Sequence, residues 1–221
     1  MVSMAMTVRP LRVVAALAAL AAGAVACAPR LGVLPGEVAP ATLPRAELPP
    51  GHHQVNFEWE FSDPDMSGKG EGVARIASPD SVRLDFFLAG GFVSGGAVLI
   101  GDSLDIPGIE LTRRLIPPPT MLWGALGRTK LPVTRDTAIR RDGELLRADL
   151  GRPVQWRVTF RRDSLLRLEH VEGGRVVEWV DRGAGYDLEY RQEVARRTLK
   201  LHITRVEEVR AFDASIWHID H

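Results

Sequence analysis

An alternation of apolar and polar residues with period two, which recurs from His52 onward, constrains this chain most strongly. Residues 55–61 place large apolar side chains on one face and polar side chains on the other, and residues 82–88, 154–161 and 186–191 repeat the pattern. Successive side chains of a strand point to opposite faces, so the pattern is typical of strands that are buried on one side. The sequence therefore predicts a mainly β domain.

The strand candidates number about ten and are joined by short turns rich in Gly, Asp and Pro, as expected for an antiparallel meander. So wide a sheet curls, because its twist accumulates and its edges would otherwise be exposed. We expect one curved antiparallel sheet that forms an open half-barrel. A barrel of this size encloses either its own side chains or one apolar ligand.

One helix is predicted within residues 117–127, because prolines suit a first helical turn and Gly127 suits the position after the last turn. Its apolar side chains are Met121, Leu122, Ala125 and Leu126 on one face, with Trp123 beside them. We expect this short helix at the barrel mouth. It is either a plug that completes the core or a lid over a lipid-sized cavity.

Cys27 is the only cysteine, and it follows a segment with the form of a secretory signal: Arg9 and Arg12, a short apolar run, then small residues. The run is shorter than the roughly 20 residues that span a bilayer. Small residues before a lone cysteine resemble a bacterial lipobox, in which the cysteine is acylated. We expect residues 1–26 to be a signal peptide and Cys27 to be lipidated. The alternative is a plain secretory signal near a structural thiol.

Residues 27–51 are predicted to be the lipidated cysteine and a proline-rich tether, because they hold six prolines and show no apolar periodicity. We expect no fixed fold there. In polyproline conformation, at about 3.1 Å per residue, the tether would hold the domain of residues 52–221 up to about 70 Å from its anchor.

Composition and spacing exclude several functions. The 28 basic and 28 acidic residues give a formal net charge of zero, without the basic excess typical of nucleic-acid binding. His52 and His53 are adjacent in a strand and point to opposite faces, which disfavours a shared metal ion. Glu58 and Glu60 alternate with the aromatic face and are expected on the solvated exterior. We predict no enzyme, no cofactor and no metal site.

The order of these parts resembles the LolA/LolB superfamily of lipoprotein-carrier folds. The matching stretches are residues 70–76 with 79–86, residues 98–104, the proline-led helix around Trp123, and residues 199–206 with 212–217. Three departures limit the resemblance, and one is that the loop of residues 62–72 offers only Met66 as an apolar tip. The tether replaces the family's first helix, and Ser78 replaces the Arg that soluble carriers have before the proline.

The resemblance implies a concave apolar surface that holds the acyl chains of a lipoprotein or another amphiphile, without catalysis. It also implies a lipid-anchored protein of the bacterial outer membrane that faces the periplasm; we expect a monomer. The side chains expected to line the acyl site are Phe57, Trp59, Phe61, Leu84, Phe86, Met121, Leu122, Trp123, Leu126, Trp156 and Val158. The alternative is a structural or assembly lipoprotein whose filled barrel binds another envelope protein.

The lipobox predicts that Cys27→Ala releases the protein from the membrane, because the acyl chains attached to Cys27 would supply the anchor. Fractionation of cells followed by a high-salt wash should find the variant in the soluble fraction. A variant that still sediments with washed membranes would show that acylation is not the anchor.

Overall fold

The computed structural model describes residues 28–40, 42–88, 93–107, 110–132, 134, 136–183 and 187–218. The predicted signal peptide and Cys27 lie outside the described residues, as does Tyr186. Among the described residues no helix is both long and apolar enough to cross a membrane.

Strands dominate the structure. In chain order they are β1 (Glu37–Val38), β2 (His52–Ser62), β3 (Ser67–Ala77), β4 (Ser81–Leu88), β5 (Val93–Ile100), β6 (Ser103–Asp105), β7 (Thr137–Asp142), β8 (Leu145–Leu150), β9 (Trp156–Arg161), β10 (Ser164–Glu172), β11 (Arg175–Arg182), β12 (Asp187–Gln192) and β13 (Arg197–Val209). The helices are α1 (Glu110–Leu115), α2 (Pro119–Ala125) and a 3-10 turn at Ala214–Trp217.

All 13 strands belong to one sheet in the order β1-β7-β8-β9-β10-β11-β12-β13-β2-β3-β4-β5-β6, and each pair of neighbours is antiparallel. The order is linear, so the sheet is open over the described residues. The predicted mainly β, open antiparallel architecture is confirmed. The predicted strands are present, and β1, β6 and β7 widen the sheet at its two edges.

Helix α2 shows that the sheet curves. The indole Nε1 of Trp123 donates a hydrogen bond to the carbonyl of Gly101, in the turn after β5, at 2.8 Å. On the same helix Gly124 lies so close to Leu168 of β10 that a Cβ atom there would be 2.7 Å from Leu168 Cδ2. A helix of seven residues is only about 10 Å long. Strand β10 and the turn after β5, which are far apart in the sheet order, both contact this short helix. The sheet therefore wraps around α2.

Strands β2 and β3 pack aromatic rings onto glycine backbone. The cross-strand pairs are Phe57 with Gly72, Trp59 with Gly70 and Phe61 with Gly68. A Cβ atom at Gly72 would lie 2.3 Å from the ring of Phe57. Glycine leaves room for a ring to lie over the neighbouring strand, so these aromatic side chains are buried.

The expectation that the segment before the barrel has no fixed fold is wrong. Residues 28–40 and 42–50, which we call the N-terminal strap, pack along the barrel. Strand β1 pairs with β7 at the sheet edge, and the Val176 amide donates to the Pro29 carbonyl at 2.9 Å. Further along, Ala46 and Leu48 are buried in the main core. Leu34, Ala46 and Leu48 of the strap are buried, whereas Val33 and Val38 are exposed. The strap therefore shows no regular apolar periodicity in the sequence.

The helical region also differs from the expectation. The predicted helix is present as α2 but ends at Ala125, and α1 precedes it without having been predicted. Helix α1 approaches β5 at Gly95, where a Cβ atom would lie 1.9 Å from Thr112 Oγ1. The available sequence signal was Glu110 in the first turn with Arg113 and Arg114 in the last, which suits the helix dipole.

The packed strap predicts that Leu48→Ala lowers the free energy of unfolding by about 2 to 5 kcal/mol, because it removes a buried side chain from the core. The control is Val33→Ala in the same strap, where the side chain is 90% exposed and we expect a change within about 0.5 kcal/mol. Urea denaturation measures both. Equal effects would contradict the packing of the strap.

Candidate functional site

The concave side of the sheet contains an apolar cavity of about 320 Å³ next to helix α2. We call it the apolar cavity. Its walls are the inner faces of β2, β3, β4, β12 and β13, together with α2 and the end of the strap. The lining side chains are Leu48, Pro49, His53, Val55, Phe57, Ala74, Ile76, Leu84, Phe86, Pro117, Leu122, Ala125, Leu126, Arg182, Leu188, Tyr190, Leu199, Leu201, Ile203 and Val206.

The cavity has a closed end and an open end. Along the inner face of β13, Leu199 is 3% exposed whereas Val206 is 52% exposed. Val206 pairs with Val55 of β2 beyond a bulge that follows Ile203. Because β13 continues beyond His202, which pairs with Asp187 at the start of its neighbour β12, this end of the barrel is the rim. Apolar side chains on β13 and β2 lead from the rim into the interior.

The predicted acyl-chain residues separate into two groups. Five of them line the apolar cavity: Phe57, Leu84, Phe86, Leu122 and Leu126. The others lie elsewhere in the barrel. Phe61, Met121, Trp123 and Val158 are buried in the core, and Trp156 stacks on His170 with 4.5 Å between ring centroids. Contact of any of these residues with an acyl chain remains a prediction.

Trp59 is a core residue in this structure. Its side chain is 1% exposed, its ring lies over Gly68 and Gly70, and its Nε1 donates to the Glu71 carbonyl at 2.9 Å. Its ring also meets Phe86 edge to face, with centroids 5.9 Å apart. Phe86 in turn lines the cavity, so Trp59 supports the cavity wall from behind.

Helix α2 forms a wall of the cavity and also fills space. Met121 and Trp123 are completely buried on the side that packs against the sheet, whereas Leu122 and Ala125 line the cavity. The guanidinium of Arg128 lies 4.8 Å from the centre of the Trp123 ring and closes the end of the helix. These contacts pack α2 against the sheet, as expected of a plug, whereas Leu122 and Ala125 border the cavity, as expected of a lid.

Sequence reasoning left most of the other lining side chains out of the predicted site, and four of them show why. Leu48 belongs to the supposed tether, and His53 was considered only as a metal ligand; its Nε2 lies 2.9 Å from the Pro50 carbonyl oxygen. Tyr190 was recognisable from its alternation with Leu188 on β12. Arg182 gave no signal, because a charged residue at a strand end is ordinarily assigned to solvent.

A chain of polar side chains adjoins the cavity at Tyr190. The Tyr190 hydroxyl donates to Glu178 Oε2 at 2.8 Å, and His170 Nδ1 lies 3.1 Å from Glu178 Oε1. The hydrogen bond to Glu178 raises the pKa of His170, although partial burial opposes it. Burial, with the charge of Glu178, raises the pKa of Tyr190 well above its usual range. The Tyr190 hydroxyl is therefore neutral, and its hydrogen-bond donor is satisfied by Glu178.

The acidic side chains of β2 lie outside the apolar cavity. Glu58 and Glu60 are exposed on the convex face, as predicted. In the part of the chain that the structure describes, no group of three or more His, Cys, Asp or Glu side chains is placed to hold a metal ion. The arrangement offers apolar volume and a few polar side chains, which suits binding.

The solved structures that are similar to this chain include three bacterial proteins. A LolA superfamily protein from Nitrosomonas europaea is 12% identical, with a TM-score of 0.47, over 79% of this chain and 93% of that chain. A putative outer membrane lipoprotein-sorting protein domain from Vibrio parahaemolyticus is 6% identical, with a TM-score of 0.47, over 76% and 89%. A DUF1329 family protein from Desulfovibrio piger is 6% identical, with a TM-score of 0.41, over 76% and 90%.

The first of these proteins is named as a member of the superfamily that the sequence motifs resemble. No protein-family model matches the chain, and no curated protein matches it in sequence.

The polar chain predicts that stability depends on the protonation of His170. Because its pKa is raised on folding, protonated His170 stabilises the native state fully below its unfolded pKa of about 6.5, and this contribution is lost as the pH rises through the folded pKa. The free energy of unfolding of the wild type should therefore exceed that of His170→Gln by more at about pH 5 than at about pH 9. In a Glu178→Gln background the difference should depend less on pH, because the hydrogen bond to Glu178 is lost while the attraction of Glu172, whose Oε1 lies 3.8 Å from His170 Nε2, remains. A pH-independent difference in the wild-type background would contradict the assignment.

Proposed function

We propose that the protein is a lipid-anchored envelope protein that binds the acyl chain of a lipoprotein or another amphiphile in the apolar cavity, without catalysis. The observation that carries the proposal is the cavity itself. Its volume of about 320 Å³ lies at the lower end of the range of roughly 300 to 1,000 Å³ that ligand sites occupy.

The chemistry of the cavity wall suits an apolar chain. Each methylene group that leaves water for an apolar site contributes about 0.8 kcal/mol. Most of the lining side chains are aliphatic or aromatic, and the hydroxyl of Tyr190 is already bonded to Glu178. An acyl chain would therefore leave few polar groups of the wall without partners.

The start of the strap supports the proposed anchor at Cys27. Ala28, which follows the cysteine, is 2% exposed, and its carbonyl accepts a hydrogen bond from Arg175 at 2.6 Å. Acylation of Cys27 would thus attach the barrel to the membrane near the turn between β10 and β11. This location differs from a long flexible tether, because the strap runs along the barrel. We place the anchored protein on the periplasmic side of the outer membrane.

A second candidate function is that of a structural or assembly lipoprotein that binds another envelope protein. The observation that favours it is the filled half of the barrel, where Trp123, Met121 and Leu168 are completely buried. In that case the cavity would be a packing defect beside α2 and would take up no chain.

A cavity-filling variant tests the proposal. Ala125 of α2 lines the cavity and is 7% exposed, so Ala125→Leu should place its added carbon atoms in the empty volume. We expect the full chain carrying Cys27→Ala to take up a fluorescent fatty-acid probe, and the added Ala125→Leu change to weaken uptake about tenfold or more. Thermal unfolding should show that the variant is folded.

The matched control is Ala138→Leu, an exposed alanine of β7 outside the cavity, which should leave uptake unchanged. Undiminished uptake by folded Ala125→Leu would show that the probe binds elsewhere. A complete lack of uptake by the parent chain would favour the second candidate function.

A further inference from the structure

Arg182 is a cation on the inner side of the barrel. It is the last residue of β11 and pairs with Leu188, which is buried on the concave face. Residues directly opposite in an antiparallel pair share a face, so the Arg182 side chain points inward. It lines the apolar cavity at the rim, where β11 ends while β13 continues toward Val206.

The end of helix α2 determines where the guanidinium lies. A Cβ atom at Gly127 would be 1.9 Å from Arg182 Nη1. Gly127 also has a φ of +89°, a conformation that favours glycine. The glycine after the helix therefore provides the space into which the guanidinium fits, and the Arg182 head group is positioned beside Leu126 of the cavity wall.

Arg182 differs from the other arginines of the neighbouring strands in its partners. Arg157 donates to Asp149 at 2.6 Å, and Arg167 donates to Asp181 at 3.0 Å. Among the described residues Arg182 has no ion-pair partner and makes no side-chain hydrogen bond. Burial lowers the pKa of its guanidinium. A half-buried cation without an anion is costly, because its lost hydration is not replaced.

An apolar cavity with one cation at its rim is complementary to a molecule with an apolar chain and one anionic end. The guanidinium is planar and presents parallel N–H donors that match the two oxygens of a carboxylate. A single arginine balances a single negative charge. The cavity volume of about 320 Å³ favours one chain over the several chains of an acylated lipoprotein.

We propose that Arg182 binds the head group of a single-chain carboxylate, a fatty-acid anion whose chain occupies the apolar cavity. The inference rests on the proposed function and names the class of ligand. The competing explanation is structural. A cation beside the C-terminus of a helix interacts favourably with the helix dipole, so Arg182 would then only stabilise α2.

Two competitors with the same chain and different head groups separate these explanations. The full chain carrying Cys27→Ala is delipidated and loaded with an uncharged naphthylamine fluorophore. Dodecanoate or dodecanol then displaces the fluorophore at about pH 8, where the carboxyl group is ionised. Each displacement is repeated with Arg182→Gln, Arg182→Lys and Arg161→Gln, an exposed arginine of β9 that serves as the control.

We expect Arg182→Gln to weaken displacement by dodecanoate about 10- to 100-fold, as for loss of a charged hydrogen bond, and to change displacement by dodecanol less than about twofold. Arg182→Lys should weaken dodecanoate less than Arg182→Gln does, because it keeps the charge and loses the planar fork. Arg161→Gln should change neither.

Equal weakening of both competitors by Arg182→Gln, with a lower melting temperature, would show a structural role and overturn the inference. An unchanged affinity for dodecanoate in Arg182→Gln would also overturn it. In both cases displacement by dodecanol would leave the proposed function standing. Failure of the parent chain to bind the fluorophore or either competitor would instead refute the proposed function.

Discussion

Burial of helix α2 on the concave face is the interaction on which the rest of the domain depends. An open sheet of this width exposes an apolar inner face, and a helix of seven residues is too short to be stable alone. The helix covers the apolar inner face of the sheet, and packing against the sheet stabilises the helix. Trp123 joins the two sides of the curve, because its ring is buried in the core and its indole donates to Gly101 across the barrel. The curvature of the sheet and the position of the helix therefore depend on each other.

The size of side chains explains why the barrel is filled on one side and hollow on the other. On β10 Leu168 packs directly against Gly124 of α2 and leaves no space. On β2 and β3 the rings of Phe57 and Trp59 lie over glycine backbone instead of projecting toward the helix. Ala74 and Ala125 face the space that remains. Small residues beside flat-lying rings thus maintain a cavity in a core that would otherwise close.

Local periodicity predicted most of the fold, because the alternation of apolar and polar residues within each strand shows which face is buried. The strap was missed for the same reason. Leu34 is buried apart from the main core, whereas Ala46 and Leu48 are buried in it, so the strap as a whole follows no single period. Alternation also shows which side chains point into the barrel, but it does not show which of them border the cavity. Phe57 and Trp59 share a face, yet Phe57 lines the cavity and Trp59 is enclosed behind it. Both side chains pair with glycines of β3, so the difference between them comes from their positions along the barrel.

Two charged residues of the inner face, Glu178 and Arg182, differ in whether they have partners within the barrel. Glu178 accepts hydrogen bonds from Tyr190 and His170, so this buried carboxylate is satisfied within the barrel and can remain there at little cost. Arg182 has no such partner among the described residues, and it lies at the other end of β11 from the turn that adjoins Ala28. Eight residues of strand extend about 26 Å. With Cys27 acylated as proposed, the membrane would be near the β10–β11 turn and the rim would face away from it. A ligand would then enter from the periplasmic side, and the cavity would exchange molecules with partners rather than with the membrane that anchors it.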